Sequence, residues 1–367
     1  MKKAEFIDTM MLFYQDFVNH FFLKNDYACY CNKWFPALHQ VSRVSLQSIK
    51  RVFIMLCVLT PAHGEIAYEM GIVTGGKTGT YMQIGQDIKQ LLQKHDIKLT
   101  VHPSEGSMQN IMDVYKRKGI QLGIVQSDVL TYIENASDDE DMKRIAKKIK
   151  LIFPLYNEEV HILARDNLQT ISDLQGKRVA LGREGSGTFL TSSTILDLAD
   201  IRPKEEYLVG GGMALEALKA NKIDAMFYVA GSPVALFDNI KPEDQLNFVK
   251  IDDKAVKEHY PDAKVPKSTY VWQQDDLSTV AVKAVLVTYD YKRLNCKRVA
   301  KIADLIYTNQ IWLRKNGHRK WNHVNLNFSL LRNWQRYACV RGILKLPDSR
   351  CDKVNNLIAR KRCFDRL

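Results

Sequence analysis

The sequence predicts an α/β fold whose sheets carry helices on both faces, and two observations carry that expectation. From Glu65 onward, short apolar runs rich in β-branched residues alternate with stretches whose apolar residues recur at helical spacing. Alternation of this kind implies α/β sheets with helices on both faces. Polar, glycine- or hydroxyl-bearing loops follow the ends of four of the apolar runs, at residues 74–80, 126–128, 183–188 and 230–232. In open α/β sheets ligands sit beyond the carboxyl ends of the strands, so these loops are the candidate site.

The most informative stretch is residues 178–199, RVALGREGSGTFLTSSTILDLA. It reads as a buried strand over 178–181, a loop broken by Gly182, Gly185 and Gly187, and a helix opening at 186–188. Leu190, Thr194, Ile195, Leu196 and Leu198 give that helix a packed face. The first N–H groups of a helix have no internal partner, and the helix dipole adds partial positive charge there. Ser186 and Thr188 add hydroxyl donors and Arg183 a full charge, a set suited to a carboxylate or a phosphate. The same residues also fit a plain strand-to-helix connection in which Ser186 caps its own helix.

The remaining elements follow in order. Residues 68–73 read as a strand entering the loop Thr74-Gly75-Gly76-Lys77-Thr78-Gly79-Thr80, and Ile84, Ile88, Leu91 and Leu92 mark one face of the next helix. Residues 97–101 read as a strand, 103–107 as a turn, and Ile111, Met112, Val114 and Tyr115 as a helix. A buried strand at 122–125 ends in Gln126-Ser127-Asp128, and a helix starts at Val129. Residues 136–150 carry an acidic run and then a basic one, the pattern of a solvated helix face. Two strands, 151–153 and 160–164, are expected to flank Pro154-Leu155-Tyr156-Asn157-Glu158-Glu159. Later come a helix at 213–220, a strand at 225–229, the turn Ala230-Gly231-Ser232-Pro233, a long strand at 280–289 and a helix from about 296 to 313.

With 367 residues the chain can hold two domains, and its composition is that of a globular protein. The formal charge of +12 is unevenly spread: residues 65–290 carry −6, residues 291–367 carry +15 and residues 1–64 carry +3. The basic character therefore belongs to the end of the chain, and a nucleic-acid reading of the whole loses most of its basis. The cysteines divide the same way, at 29, 31, 57, 296, 339, 351 and 363. A body without cysteine folds in either redox compartment, so cysteine usage alone does not decide location. Cys29-Tyr30-Cys31 lacks zinc-ligand spacing, and neither a metal nor a cofactor is expected.

Residues 52–59, VFIMLCVL, form the most apolar run, far shorter than the ~20 residues of a membrane span. Lys50 and Arg51 precede it and Ala62-His63-Gly64 follow, the build of a secretory signal segment. A long leader stands before it, so the alternatives are a mis-set start or an ordinary buried strand. Residues 1–64 are thus expected to be leader and signal segment, which makes the protein periplasmic if the segment at 50–64 is used and membrane-tethered or cytoplasmic otherwise.

Residues 71–78 match the P-loop expression G-x-x-x-x-G-K-[ST], but Ile72 and Val73 read as the strand itself and Gly79 interrupts before the helix. Nucleotide binding through this loop is the alternative reading. The reading preferred on the residues is close backbone approach to a small ligand, with Thr74, Thr78 and Tyr81 as hydrogen-bonding side chains. Ser186 lies in G-S-G rather than in a nucleophile elbow, and no nucleophile stands beside an evident base. His161 reads as a satisfied structural histidine, and Asp128 and Asp224 as caps of neighbouring helices. Trp321, Trp334, Tyr337 and the basic residues around them fit an amphipathic segment packed on the body better than a nucleic-acid surface.

Taken together, five pieces in order resemble the TAXI family, the extracytoplasmic solute-binding subunits of TRAP transporters. They are residues 74–81 (TGGKTGTY), 106–110 (GSMQN), 122–129 (LGIVQSDV), 185–188 (GSGT) and 229–233 (VAGSP). Residues 154–159 and 286–291 resemble a longer branch of that family, and the likeness runs from about 65 to about 338. It implies a periplasmic-binding-protein-like fold: two α/β lobes joined by crossing strands, with a ligand cleft between them. Residues 65–159 with 270–340 would form one lobe, 160–269 the other, and 341–367 a basic tail. It also implies a non-enzymatic, monomeric protein that captures a small anionic metabolite, glutamate- or 2-oxoacid-like, and serves TRAP transporter membrane subunits. Carried over by position, Thr74, Gly76, Thr78, Tyr81, Ser107, Asn110, Gln126 and Ser127 would line the cleft from the first lobe. Ser186, Gly187, Thr188 and Gly231 would face them from the second, with Arg183 added by the charge argument above. Met82 and Gln83 stand where many members show Tyr-Pro, a difference expected to reshape the cleft wall.

Overall fold

The computed structural model describes residues 68–77, 79–327, 331 and 334–341. The expected leader and signal segment, Thr78 and the tail beyond Arg341 lie outside them.

The chain folds as an α/β protein built on one curled sheet. Strand β1 (Glu69–Val73) pairs in parallel with β2 (Lys98–His102) and β3 (Ile120–Gln126). Helices α1 (Thr80–Gln93) and α2 (Ser107–Lys116) make the crossovers. The expected apolar stripe of α1, Ile84, Ile88, Leu91 and Leu92, is fully buried, as helical spacing requires when one face meets the sheet. After β3 come α3 (Val129–Ala136) and α4 (Glu140–Ala146), the latter capped by Asp139, whose side chain accepts the Met142 N–H.

Two long antiparallel strands, β4 (Ile149–Arg165) and β10 (Leu277–Tyr289), carry the sheet from one half to the other. The first part of β4 and the last part of β10 complete the β1–β3 half. The second part of β4 pairs with β7 (Ala225–Ala230), from Glu159 opposite Ala230 to Ala164 opposite Ala225. β7 then pairs with β5 (Arg178–Ala180) and β5 with β6 (Glu205–Tyr207), both in parallel. α5 (Gly187–Leu198) and α6 (Gly211–Lys219) cross over in this half. The full order is β2-β1-β3-β10-β4-β7-β5-β6. β8 (Leu246–Phe248) pairs with β4, and β9 (Asp262–Val265), preceded by α7 (Lys254–His259), pairs with β10.

Each half has a core on both faces of its sheet, which makes them two lobes. In the first lobe Ile84, Phe153 and Leu286 pack on one face and Ile111, Val125 and Val285 on the other. In the second, Val160, Val179 and Ile195 form one core and Leu163, Phe237 and Tyr270 the other. Leu277, Val280 and Val282 also sit in second-lobe cores, so the chain returns to the first lobe within β10 rather than at residue 270.

Several expectations need correction. Residues 154–159 are not a connection between two strands but the middle of the 17-residue β4. The helix expected over 296–313 is two, α8 (Arg293–Thr308) and α9 (Gln310–Asn316). Asn309 breaks it: its backbone leaves helical geometry, and the Leu305 carbonyl accepts both its backbone N–H at 3.1 Å and its side-chain amide at 2.9 Å, which closes the last turn of α8. β6, β8, β9 and α7 were not foreseen, being too short to show a period. Asp128 stands at the N-cap position of α3 but makes no side-chain cap bond, and Asp224 caps no helix among the described residues. Asp224 instead holds Arg178 through both carboxylate oxygens, at 2.7 and 3.1 Å.

The segment after β10 packs on the first lobe. A disulfide joins Cys296 in α8 to Cys339 in α10 (Ala338–Arg341), and the Tyr337 N–H donates to the Leu151 carbonyl of β4. Trp321 and Tyr337 are buried, so neither ring is available to stack on a base.

Candidate functional site

Four helices from the two lobes begin at one place. α1 and α2 open there from the first lobe, α5 and α6 from the second, behind the N-cap residues Gly79, Gly106, Ser186 and Gly210. Their first turns line a crevice of ≈ 210 Å³ between the lobes. Three of the four caps are glycines with no side-chain cap bond, which leaves first-turn N–H groups for an occupant. Two glycines are required sterically. A Cβ on Gly187 would stand 2.2 Å from Gln126 Oε1 of the opposite lobe. Gly106, at φ 129°, would place a Cβ 3.0 Å from Ser186 Cα, again across the gap.

Of the residues expected to line a cleft, Gly76, Tyr81, Ser107, Gln126, Arg183, Ser186, Gly187 and Thr188 are brought together in this crevice. Thr74, Asn110, Ser127 and Gly231 are not among its lining residues, and each has a structural reason. The Thr74 hydroxyl donates to the His102 carbonyl at 2.9 Å, tying β1 to β2. Asn110 donates from Nδ2 to the Thr74 and Ile124 carbonyls. Ser127 exchanges bonds with Lys283 of β10: its N–H donates to the Lys283 carbonyl at 2.8 Å and its hydroxyl accepts the Lys283 N–H at 3.1 Å. Gly231 faces away, toward Tyr156 and Lys320, whose side chains a Cβ would meet at 2.8–2.9 Å. Even inside the crevice some side chains are engaged. The Ser107 hydroxyl accepts the Gln126 N–H, Ser186 caps Phe189 N, and the Thr188 hydroxyl accepts the Val229 N–H.

The lobes touch across the mouth. The Met108 N–H donates to the Gly185 carbonyl at 3.3 Å, and Arg183 forms an ion pair with Glu105. Deeper, Asp128 Oδ2 of the first lobe accepts from the hydroxyls of Thr191 (2.8 Å) and Tyr260 (3.0 Å) of the second. Burial pushes the Asp128 carboxyl above its ordinary range, and those two hydroxyls partly offset it. Because Glu105 balances Arg183, positive potential in the crevice comes chiefly from the helix N-termini.

Sequence reasoning missed Glu158. It lies in β4 where the strand passes between lobes, is 3 % exposed and lines the crevice. The Tyr81 hydroxyl donates to its Oε2 at 2.7 Å. Burial raises its pKa to about 8; the Tyr81 bond opposes that rise, adjacent Glu159 adds to it and Lys320 opposes it. Glu159 points elsewhere: it pairs with buried Lys320 at 2.8 and 2.9 Å and accepts the Ser232 N–H at 2.6 Å. Nothing in the sequence separates the two glutamates except strand alternation, which the expected break at 154–159 concealed.

His161 is structural, as expected. Nδ1 lies 2.9 Å from the Glu159 carbonyl and Nε2 3.2 Å from the Tyr270 hydroxyl. Tyr270 accepts the Val234 N–H, so its own hydrogen is directed to Nε2 and the imidazole carries its hydrogen on Nδ1. Burial lowers its pKa to about 4.

The P-loop letters do not form a phosphate cradle. Gly71 is inside β1, with the Gly119 carbonyl 2.4 Å from where its Cβ would be, and Lys77 faces outward. With Met82, Gln83, Asp87 and His318, Lys77 lines a separate open groove of ≈ 680 Å³ on the first lobe. The Met82-Gln83 departure therefore falls outside the crevice wall. Among the described residues no group of three or more His, Cys, Asp or Glu is placed to hold a metal, and no helix is long and apolar enough to cross a membrane.

The profile described as the NMT1-like family matches residues 72–331, a span that runs from β1 past every loop of the crevice. The chain belongs to the NMT1-like family. Solved structures similar to this NMT1-like protein include Tv2483 bound to L-arginine, at 13% identity and TM-score 0.48 over 72% of this chain and 96% of that one. The periplasmic binding protein BugD matches at 9% and 0.47, over 70% of this chain and 87% of that one. A TctC solute-binding protein from Polaromonas matches at 13% and 0.43, over 69% and 85%.

Proposed function

We propose that this NMT1-like protein is an extracytoplasmic solute-binding subunit, of the TAXI type serving a TRAP transporter, that captures a small carboxylate by closing its lobes and does no chemistry on it. The observation that carries the reading is the convergence of four helix N-termini, two from each lobe, on one crevice lined by glycine backbone. Each N-terminus favours an anion by about 0.3–1 kcal/mol when exposed and up to ~2 kcal/mol when partly buried. A ligand that bridges the lobes makes contacts in the closed state that the open state lacks, so binding shifts the population toward closure.

Size supports a small metabolite. The crevice, ≈ 210 Å³, is smaller than the roughly 300–1,000 Å³ usual for pockets that take drug-sized ligands. The disulfide between Cys296 and Cys339 supports an oxidising compartment such as the periplasm, because such bonds are rare in the cytosol. The hydroxyls of Ser107 and Ser186 accept backbone N–H groups, and buried His161 bonds to the Glu159 carbonyl and the Tyr270 hydroxyl rather than to either serine. Monomeric release to membrane subunits completes the reading.

The test is a thermal-shift screen of the full chain against mono- and dicarboxylates, 2-oxoacids, amino acids and nucleotides. A native-state ligand raises the melting temperature by mass action. The expected result is stabilisation by a small carboxylate and none by Mg-ATP; stabilisation by nucleotide alone would reverse the reading.

A further inference from the structure

The carboxyl of Glu158 stands at the crevice between the two sets of helix N-termini, and its two oxygens differ. Oε2 takes the Tyr81 hydroxyl hydrogen at 2.7 Å. Tyr81 keeps that hydrogen, because burial raises its own pKa well above the ordinary value. Oε2 is thus an acceptor in either protonation state, and the proton of a neutral Glu158 belongs on Oε1.

The charged and titratable groups around it come from every packed element. Tyr156 and Glu159 flank it on β4, Tyr228 stands on β7, Asp128 follows β3, Lys283 lies on β10 and Lys320 on the C-terminal segment. Lys320 gives its ammonium to the Glu159 carboxylate and the Asn157 carbonyl. Among the described residues Glu158 has no ion pair.

We infer that Glu158 determines which anion the crevice accepts, meeting the ligand as a neutral acid that donates a hydrogen bond to one of its carboxylate or keto oxygens. This rests on the carboxylate-binding reading above and adds a residue and a proton to it. The helix N-termini take one carboxylate without any proton; Glu158 supplies a donor for a second acceptor group, which favours a dicarboxylate or a 2-oxoacid over a simple monocarboxylate. Its folded pKa lies above the ordinary carboxylate value, so the donor is present at pH 7 and is lost as pH rises through about 8. Beyond that point the carboxylate repels the ligand.

The experiment is calorimetric titration of the full chain with succinate, 2-oxoglutarate, acetate and the diamine putrescine at pH 7 and pH 9. Succinate or 2-oxoglutarate is expected to bind more tightly than acetate at pH 7 and to weaken about tenfold by pH 9, the loss set by one proton with a midpoint near 8. Glu158→Gln has no proton to lose, so whatever affinity it retains at pH 7 is expected to be the same at pH 9; a variant that still weakens about tenfold between the two overturns the assignment. Tyr81→Phe removes the bond that holds the midpoint down, so the midpoint moves upward. If Glu158→Gln does not fold, the wild-type titration and Tyr81→Phe decide the matter. Carboxylate binding that is flat or tightens toward pH 9, or preferred binding of putrescine at pH 9, overturns the inference but leaves a binding crevice in place. Failure of every carboxylate at both pH values overturns the inference and the proposed function together.

Discussion

The Met108 amide nitrogen in the first lobe lies 3.3 Å from the Gly185 carbonyl oxygen in the second. Met108 is in the first turn of α2, where a backbone N–H has no partner inside its own helix. A helix end of one lobe is thus satisfied by a loop of the other, and opening the crevice must give up that bond. The same loops carry the Arg183–Glu105 pair, so the lips close by backbone and by charge.

Arg183→Ala is expected to weaken closure more than folding. Both partners are half exposed, 52% and 58%, so the pair adds less than about 1 kcal/mol to stability. Urea unfolding should change little, while ligand affinity falls several-fold, and the wild-type affinity should fall with added salt where that of the variant does not.

Gly187→Ala is expected to abolish the closed crevice. The added Cβ would meet Gln126 Oε1 at 2.2 Å and its Cδ at 2.4 Å, and Gln126 is buried, with little room to turn aside. Alanine suits the first turn of a helix, so the melting temperature without ligand should hold while affinity drops at least tenfold.

Glycine positions of this kind were legible in the sequence, and so was the alternation that places their loops at strand ends. What was not legible is where a side chain turns. Thr74 looks like a ligand contact because it is polar and opens a glycine-bearing loop, and Asn110 because it matches a position of the family pattern. Their hydrogen bonds go to neighbouring backbone, the Thr74 hydroxyl to His102 and the Asn110 amide to Thr74 and Ile124. Glu158 escaped notice for the converse reason. Its role depends on β4 running unbroken between lobes and on Tyr81, 77 positions away in sequence, and no local pattern encodes that.

Acid stability should reveal two opposed groups. His161 has a folded pKa near 4, below its ordinary 6.5, so the unfolded chain binds the extra proton between those values and stability is lost as pH falls through that window. Glu158 has a folded value near 8, above its ordinary 4.5, so its contribution is fully present below 4.5 and lost as pH rises toward 8. Between pH 7 and pH 5 the two nearly cancel. Glu158→Gln removes one of them, and urea titrations should then show a loss of about 2 kcal/mol over that interval where the wild type shows little.

Lys320→Met leaves Glu159 buried without its cation. The side chains of this pair are 6% and 13% exposed, and breaking such a pair costs about 3–5 kcal/mol. A large fall in melting temperature is expected, with partial recovery in the double variant Lys320→Met with Glu159→Gln.

The central claim is that loops of both lobes hold one ligand. Hydrogen–deuterium exchange of the full chain, with and without the carboxylate giving the largest thermal shift, tests it most directly. The account predicts simultaneous protection of amides at 75–81, 106–109, 186–190 and 210–213. Protection confined to one lobe, or to the outer groove beside Met82 and His318, would contradict it.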